Sequence, residues 1–311
     1  MTSFDLIVVG AGIVGAACAD AAAASGLRVA VIEQAGIGGG ATAAAMGHLV
    51  ALDEDPAELA LAHYSQQLWD EFVELPGAQF QRCGTLWVAR DEREYELIGA
   101  KIARLQGAGI TASTVDAAEL HRLEPALAPG LAGGVRVPGD AVVYPPNVAR
   151  KGHLVITERY VDFVRHQIVE LGYADSAHGA QRSSVAFNVQ PRSTGQVLIG
   201  SSREFDSATP EVSMPMVQRM LARAFDFLPG LRSMQALRIW TGFRPTSIDG
   251  KPYLGPVPDQ RDLWVAAGHE GLGVTTALGS ARLLVDQLLG RRCAIDPTPY
   301  LPARALLRVS A

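Results

Sequence analysis

Hydrophobic and polar positions along this chain change period wherever glycine and proline interrupt it. Phe4-Asp5-Leu6-Ile7-Val8-Val9 is a short β-branched run that predicts a strand buried on both faces. Gly10-Ala11-Gly12-Ile13-Val14-Gly15 follows as a turn, then an alanine-rich helix from Ala16 to Ala24, closed by Ser25-Gly26. Arg28 to Ile32 predicts a second strand, with Glu33 at its tip. Asp55-Pro56-Ala57-Glu58 is a capping box with proline at the first helical position. Leu61, Tyr64, Leu68, Phe72 and Leu75 then recur at helical spacing until Pro76-Gly77.

Thr85 to Ala89 predicts a strand, and Asp91 to Gln106 a helix with Leu97, Ile102 and Leu105 inward. Leu120 to Tyr144, rich in proline and glycine, reads as loop and short strand. Beyond Lys151 the texture turns antiparallel, with β-rich runs over Gly152 to Arg159, Ser184 to Pro191 and Gly195 to Ser202. Ser213 to Leu228 predicts a helix whose inward side carries Val217, Met220, Leu221, Ala224 and Phe225. Arg238 to Phe243 reads as a strand. Leu263 to Ala267 is another, leading through a glycine loop into a helix over Val274 to Leu289.

Composition narrows the classes. With 311 residues and 48% hydrophobic positions, the chain supports one large domain or two interleaved ones. A net charge of −5 without any Lys/Arg run argues against nucleic acid. Cys18, Cys83 and Cys293 lack the paired spacing of metal ligands, and so sparse a set fits a reducing cytoplasm. The apolar stretch from Leu6 to Ala19 is bounded by Asp5 and Asp20, holds three glycines and has no basic start. It predicts neither a signal peptide nor a membrane span.

The first fifty residues carry chemistry. Strand, glycine turn, helix, strand and terminal acid are the parts of a dinucleotide site. Gly10 permits the tight turn, Gly12 lets backbone amides approach a pyrophosphate, and Gly15 allows helix and strand to pack closely. Ala11, Ile13 and Val14 complete that turn, and the helix N-terminus offers partial positive charge to phosphate. Glu33, followed by Gln34, suits an adenosine ribose and disfavours a 2′-phosphate, so FAD or NAD is expected and NADP is not. From Gly36 to Gly47 only Met46 is a large polar-free side chain besides Ile37, which allows the backbone to lie against a bulky planar ligand and points to FAD.

These residues resemble the FAD-dependent D-amino acid oxidase and glycine oxidase family. Gly39 to Leu49 looks closest to the FAD subunit of bacterial D-hydroxyproline dehydrogenases. By resemblance, Thr42, Ala43, Met46, Gly47, His48 and Leu49 neighbour the flavin. For His48 two readings stay open: proton transfer, or a hydrogen bond to backbone or flavin. Arg238-Ile239-Trp240-Thr241-Gly242-Phe243-Arg244-Pro245 with Asp249-Gly250-Lys251-Pro252-Tyr253-Leu254-Gly255 resembles the family's second fingerprint, in which Arg244 binds the substrate carboxylate. A guanidinium makes a bidentate pair there; a salt bridge to Asp249 is the alternative. The loop Gly268-His269-Glu270-Gly271-Leu272-Gly273, then Val274 and Thr275, by resemblance aims a helix N-terminus at the flavin's pyrimidine end. His269 and Glu270 either line the pocket or form an exposed pair.

The resemblance implies an α/β protein with a Rossmann-like FAD-binding domain (1–75, 133–150 and 238–311). An antiparallel or mixed-sheet α+β substrate domain (76–132 and 151–237) is inserted into it. It implies an enzyme dehydrogenating the Cα–N bond of a small amino or imino acid, of the D-hydroxyproline or D-proline class. Glycine or sarcosine oxidation, and an inactive scaffolding subunit, are the alternatives. The electron acceptor stays open between oxygen, a quinone or dye, and a partner subunit in a hetero-oligomer. The location expected is cytoplasmic, or at a membrane through such a partner. One departure stands out: family members carry a long block, returning to the FAD sheet, where Arg150 here meets Lys151 directly. The sheet should then lack strands that help hold the adenosine end.

Overall fold

The computed structural model describes residues 3–52, 55–74, 78–143, 152–172, 183–204 and 209–305. In chain order the elements begin β1 (Leu6–Val9), α1 (Ile13–Ala24), β2 (Val29–Ile32), β3 (Thr42–Ala43), β4 (His48–Leu49) and α2 (Pro56–Trp69). Next come β5 (Thr85–Ala89), α3 (Glu92–Tyr95), α4 (Ile98–Gly107), β6 (Ser113–Asp116), α5 (Ala117–Leu123), β7 (Gly133–Val137) and β8 (Ala141–Val142). They are followed by β9 (Gly152–Arg159), β10 (Gln167–Glu170), β11 (Ser183–Pro191), β12 (Gln196–Glu204) and α6 (Met214–Phe227). The chain closes with β13 (Ala236–Gly242), β14 (Tyr253–Pro256), β15 (Trp264–Ala267) and α7 (Gly273–Leu288). Contacts divide it into two compact units, Met1–Glu74 with Pro145–Arg150 and Phe243–Ala311, and Leu75–Tyr144 with Lys151–Gly242.

In the first unit β1 and β2 run parallel, Leu6 opposite Val29 and Val9 opposite Ile32. Helices α1 and α7 pack through small side chains, Ala17, Cys18, Ala21 and Ala22 against Ala277, Ala281 and Val285. Leu6 and Val29 lie against this cluster, as does Ala266 of β15. Helix α2 is capped by Asp55, whose carboxylate accepts from the amides of Ala57 and Glu58. It presses on α7 closely enough that a Cβ on Gly279 would stand 3.0 Å from Ser65 Cβ. The Gly279 amide instead donates to Ser65 Oγ at 3.0 Å. The expectation that β1 is buried on both faces is corrected, because Ile7 and Val9 are exposed. The apolar run is real, but among the described residues only one face finds helices to pack on.

The second unit is built on an eight-stranded sheet ordered β13-β9-β12-β11-β10-β5-β7-β6. All neighbours are antiparallel except β10 and β5. One face buries Leu86, Val88, Val155, Ile168, Phe187, Val189 and Ile199 with Met220, Ala224 and Phe227 of α6. Phe187 and Phe227 stack with centroids 4.3 Å apart. The predicted helix over Asp91 to Gln106 is two helices, and its inward face is shifted: Leu97 is exposed, while Ile98, Lys101 and Leu105 are buried. Lys101 reaches the core by laying its ammonium over the Trp87 ring, 3.7 Å from the centroid. Strand β10 hides from sequence reading because it ends in Glu170. That buried carboxylate is satisfied by Arg223 and by the Phe187 amide. The Pro76-Gly77 stop and the Arg150–Lys151 junction lie outside the described residues. No helix among the described residues is long and apolar enough to cross a membrane.

Candidate functional site

The glycine turn leaves β1 through Gly10 at φ +104°, with its amide bonded to the Ile32 carbonyl at 2.8 Å. Only glycine adopts that conformation cheaply. A Cβ on Gly15 would fall 2.0 Å from the Gly10 carbonyl oxygen, so a side chain there would break the turn. Helix α1 starts at Ile13, three residues earlier than its alanine run suggests, and Gly12 at its N-cap brings no capping side chain. The cap comes from afar: Thr42 Oγ1 accepts from the Ile13 amide at 2.7 Å, and a Cβ on Gly12 would lie 3.3 Å from it. The first turn holds no acidic residue to compete with phosphate.

Glu33 closes the turn on its other side. One carboxylate oxygen accepts from the Ala11 amide at 2.8 Å, the other from Ala35 at 2.9 Å. These backbone bonds hold its pKa below the usual glutamate range. Glu33 therefore braces the loop besides presenting charge at the strand tip. Gln34 beside it is exposed, and the small-residue run is tied back by Gly38, whose amide donates to the Ala11 carbonyl at 2.8 Å. Over Gly36 and Gly40 a Cβ would meet nothing within 4 Å, which leaves open space above this segment. A helix N-terminus with no acidic residue in its first turn, a turn built on two obligatory glycines and that open space fit an FAD pyrophosphate and its flanks.

Further along, Thr42, Met46, Gly47 and Leu49 are buried, and Ala43 and His48 half-buried. Thr275 Oγ1 donates to the His48 carbonyl at 2.8 Å, joining this segment to the first turn of α7. The Thr275 hydroxyl is thus engaged in holding backbone. Trp69 Nε1 donates to the carbonyls of Val274 and Thr275 at 3.2 and 3.3 Å, from the other side of the same turn.

Arg244 meets the same loop. The Pro245 carbonyl accepts from the Glu270 amide at 2.7 Å, and Thr246 bridges His269. A Cβ on Gly271 would lie 3.6 Å from Arg244 Nε, so the guanidinium stem crosses Gly271 just ahead of α7. Leu272 is buried beneath and Gly273 opens the helix, while Gly268 turns at φ +83°. Asp249 is held by Arg304 through Nε at 2.9 Å and Nη2 at 3.1 Å. His269 is buried, not part of an exposed pair; its Nε2 meets Ser280 Oγ at 3.0 Å, and burial pushes its pKa down to about 4. It is neutral near pH 7 and works as a fastener inside the loop.

Trp69 and Arg304 give no local signal in the sequence, because each acts on a segment far away along the chain, and Ser280 gives none because its contact with His269 exists only once α7 is folded. Burial pushes the Cys18 thiol up to about 12 and Cys83 to about 11, so neither is poised as a nucleophile. Among the described residues no three His, Cys, Asp or Glu side chains gather to hold a metal.

The chain is similar to a glycine oxidase from Pseudomonas putida, 26% identical over 364 aligned positions that take in 96% of this chain and 98% of that protein. Its fold matches the crystal structure of glycine oxidase from Geobacillus kaustophilus with a TM-score of 0.83 at 23% identity, covering 96% and 98% of the two chains. The structure of L-proline dehydrogenase from P. horikoshii gives 0.82 at 17% identity, covering 96% of each. The family described as FAD dependent oxidoreductase matches residues 5–187 and 161–287. Together with a glycine turn, acid and helix N-terminus shaped for FAD, this makes the chain an oxidoreductase of the FAD dependent oxidoreductase family.

Proposed function

We propose that this enzyme dehydrogenates the Cα–N bond of a small amino or imino acid to the imine, with D-hydroxyproline or D-proline as the leading substrates. In this reading the first unit is the FAD-binding domain and the second the substrate domain. Residues 133–144 and 238–242, expected from sequence in the FAD-binding domain, go with the substrate domain because β7 and β13 are strands of its eight-stranded sheet. The observation that carries it is Arg244, laid across Gly271 at the mouth of α7. A guanidinium held there can take a carboxylate by two parallel hydrogen bonds and so orient the α-hydrogen. The chemistry that FAD supplies when bound is acceptance of that hydrogen with its electron pair. The α7 N-terminus stabilises negative charge by roughly 0.3–2 kcal/mol. The amine proton leaves to solvent or to His48. Gly10 to Gly15, Glu33 and Gln34 would hold the pyrophosphate and ribose. Thr42, Ala43, Met46 to Leu49, Gly268 and Gly271 to Thr275 would flank the ring.

The similarity to an L-proline dehydrogenase and to glycine oxidases supports a small amino or imino acid, and glycine or sarcosine is the second substrate choice. A scaffolding subunit is a second reading, favoured by one observation: the Pseudomonas putida match needs 364 positions, more than this chain possesses. The purified protein's visible spectrum separates the two, since flavin bands are expected of the enzyme and a colourless protein that cannot be reconstituted refutes it. Turnover of D-hydroxyproline, D-proline, glycine and sarcosine is then followed with oxygen, a quinone and a dye. Activity on none of them with bound FAD overturns the substrate assignment and leaves the family standing. Fractionation of cells tests the cytoplasmic location, and co-purification tests a partner subunit that would take the electrons.

A further inference from the structure

The loop that follows Arg244 is gripped by a side chain from near the end of the described chain. Arg304 donates to both oxygens of the Asp249 carboxylate, through Nε at 2.9 Å and Nη2 at 3.1 Å. Its Nη2 also donates to the Lys251 carbonyl at 2.5 Å, and its Nη1 to the Leu301 carbonyl at 3.2 Å. The guanidinium lies over the Tyr253 ring, 4.2 Å from the centroid. One side chain thus fixes three points between Asp249 and Tyr253. The pair is largely out of water, the Asp249 side chain being 8% exposed and that of Arg304 16%. Burial alone would raise the Asp249 pKa, but Arg304 carries it below the ordinary aspartate value, so the carboxylate is charged near pH 7.

The start of the loop is fixed on the residues that Arg244 crosses. The Pro245 carbonyl accepts from the Glu270 amide, and Thr246 bridges His269. Ser247 packs on Gly268, where an added Cβ would stand 3.3 Å from Ser247 Cβ, and its Oγ donates to Asp249 Oδ1 at 3.3 Å. Contacts therefore run from Arg304 through Asp249 and Ser247 to the turn beneath Arg244. Among the described residues Asp249 makes its ion pair with Arg304 and not with Arg244. Lys251 is committed elsewhere, its ammonium bonded to Asp55 Oδ2 at 2.8 Å. Without Arg304 a buried carboxylate would lose its partner, which is costly, and the nearest guanidinium along the chain is that of Arg244.

We propose that Arg304 is a positioning residue for the substrate carboxylate, acting through Asp249. It holds the loop that aims Arg244 across Gly271, and it occupies an aspartate whose charge would otherwise compete with the substrate for the Arg244 guanidinium. The proposal rests on the reading of Arg244 as the carboxylate anchor.

The test compares the parent, Arg304→Gln, Asp249→Asn and the double variant, each with FAD bound. D-proline or glycine, whichever is turned over, is the substrate with a carboxylate, and pyrrolidine the one without. Pyrrole-2-carboxylate is the probe without turnover, its Kd read from the perturbed flavin bands. Arg304→Gln should raise KM for the acid and Kd for the probe about tenfold, with kcat changed less. Flavin content and pyrrolidine oxidation should hold. Asp249→Asn alone should stay within about threefold of the parent, and in the double variant it should recover most of the loss, because the stranded charge is gone. Loosened packing would give no such rescue. An equal fall on pyrrolidine, no recovery in the double variant, or lost flavin overturns the proposal. Should Arg304→Gln not fold, Arg304→Lys, which keeps the charge without the two-pronged grip, should show a smaller rise of the same kind; unfolding of both overturns it. Arg244→Ala is run alongside. If it leaves binding of the acids unaffected, the anchor reading falls and this proposal with it; if it weakens them and Arg304→Gln does not, this proposal alone falls.

Discussion

At the scale of single residues, the site depends on side chains whose partners are fixed by geometry. Arg244→Lys keeps the charge and loses the two-pronged grip, so kcat/KM for the amino or imino acid should fall about tenfold to a hundredfold, the worth of roughly 1.5–3 kcal/mol. Arg244→Ala should cost more while flavin content and far-UV circular dichroism hold. Pyrrolidine, which lacks a carboxylate, should be oxidised equally by all three proteins. Near-normal kcat/KM in Arg244→Ala for every acid turned over, or loss of its flavin, would falsify the carboxylate role. His269 makes a prediction about pH. Its pKa in the folded chain, about 4, lies below the ordinary 6.5, so the unfolded chain binds the proton first as pH falls. Stability from this group is whole above pH 6.5 and lost between 6.5 and 4, on the order of 3 kcal/mol. Chemical denaturation at pH 7, 5.5 and 4.5 should show the decline, and His269→Gln should flatten it. A variant that keeps the full slope assigns the decline elsewhere. The residue types Arg244 and Glu33 could be singled out from motif position alone, whereas the burial of His269 against Ser280 could not. Nothing near His269 in sequence reports contact with a serine eleven residues on, inside α7.

Elements show where local pattern is enough and where it is overruled. The capped start of α2 follows directly from Asp55, Pro56 and Glu58, and the structure places the cap bonds there. The antiparallel strands β9, β11 and β12 likewise follow from β-rich runs set apart by turn residues. The helix over Asp91 to Gln106 fails because its apolar spacing suggested Leu97 inward, while Trp87 offers Lys101 a π-face to cover and so rotates the buried side. Helix–helix contact in the first unit is set by glycine. Gly279→Ala should gain intrinsic helix propensity of about 1 kcal/mol and still destabilise, because its Cβ meets Ser65 Cβ at 3.0 Å and the Leu61 carbonyl at 3.2 Å. Overpacking of this kind costs roughly 1–3 kcal/mol. Adding Ser65→Gly should recover part of the loss in melting temperature, and a Gly279→Ala protein as stable as the parent would show that the helices can part without cost. Gly15→Ala is harsher, with a carbonyl oxygen 2.0 Å away, and should strip FAD from the protein, read as the flavin-to-protein absorbance ratio.

For the molecule as a whole, cofactor choice becomes a stability measurement. FAD that binds the folded chain alone raises its stability by about 2.7 kcal/mol at a hundred times Kd. NADP at the same concentration should raise the melting temperature little, because in the proposed site Glu33 would face the 2′-phosphate with like charge. A shift from NADP equal to that from FAD would remove Glu33 from the ribose site. The sequence by itself determined the local parts: a strand, a glycine turn and a helix in order, an acid at a strand tip, an arginine before a proline. Those follow from φ/ψ preference, side-chain period and charge, which act over a few residues. Tertiary structure alone decided that Thr42 caps α1, that Thr275 and Trp69 clamp the start of α7, and that Arg304 holds Asp249. It also decided that Val9, as apolar as any core residue, stands in water. Burial is a property of what arrives opposite a side chain, and among the described residues the β1–β2 pair meets helices on one face only.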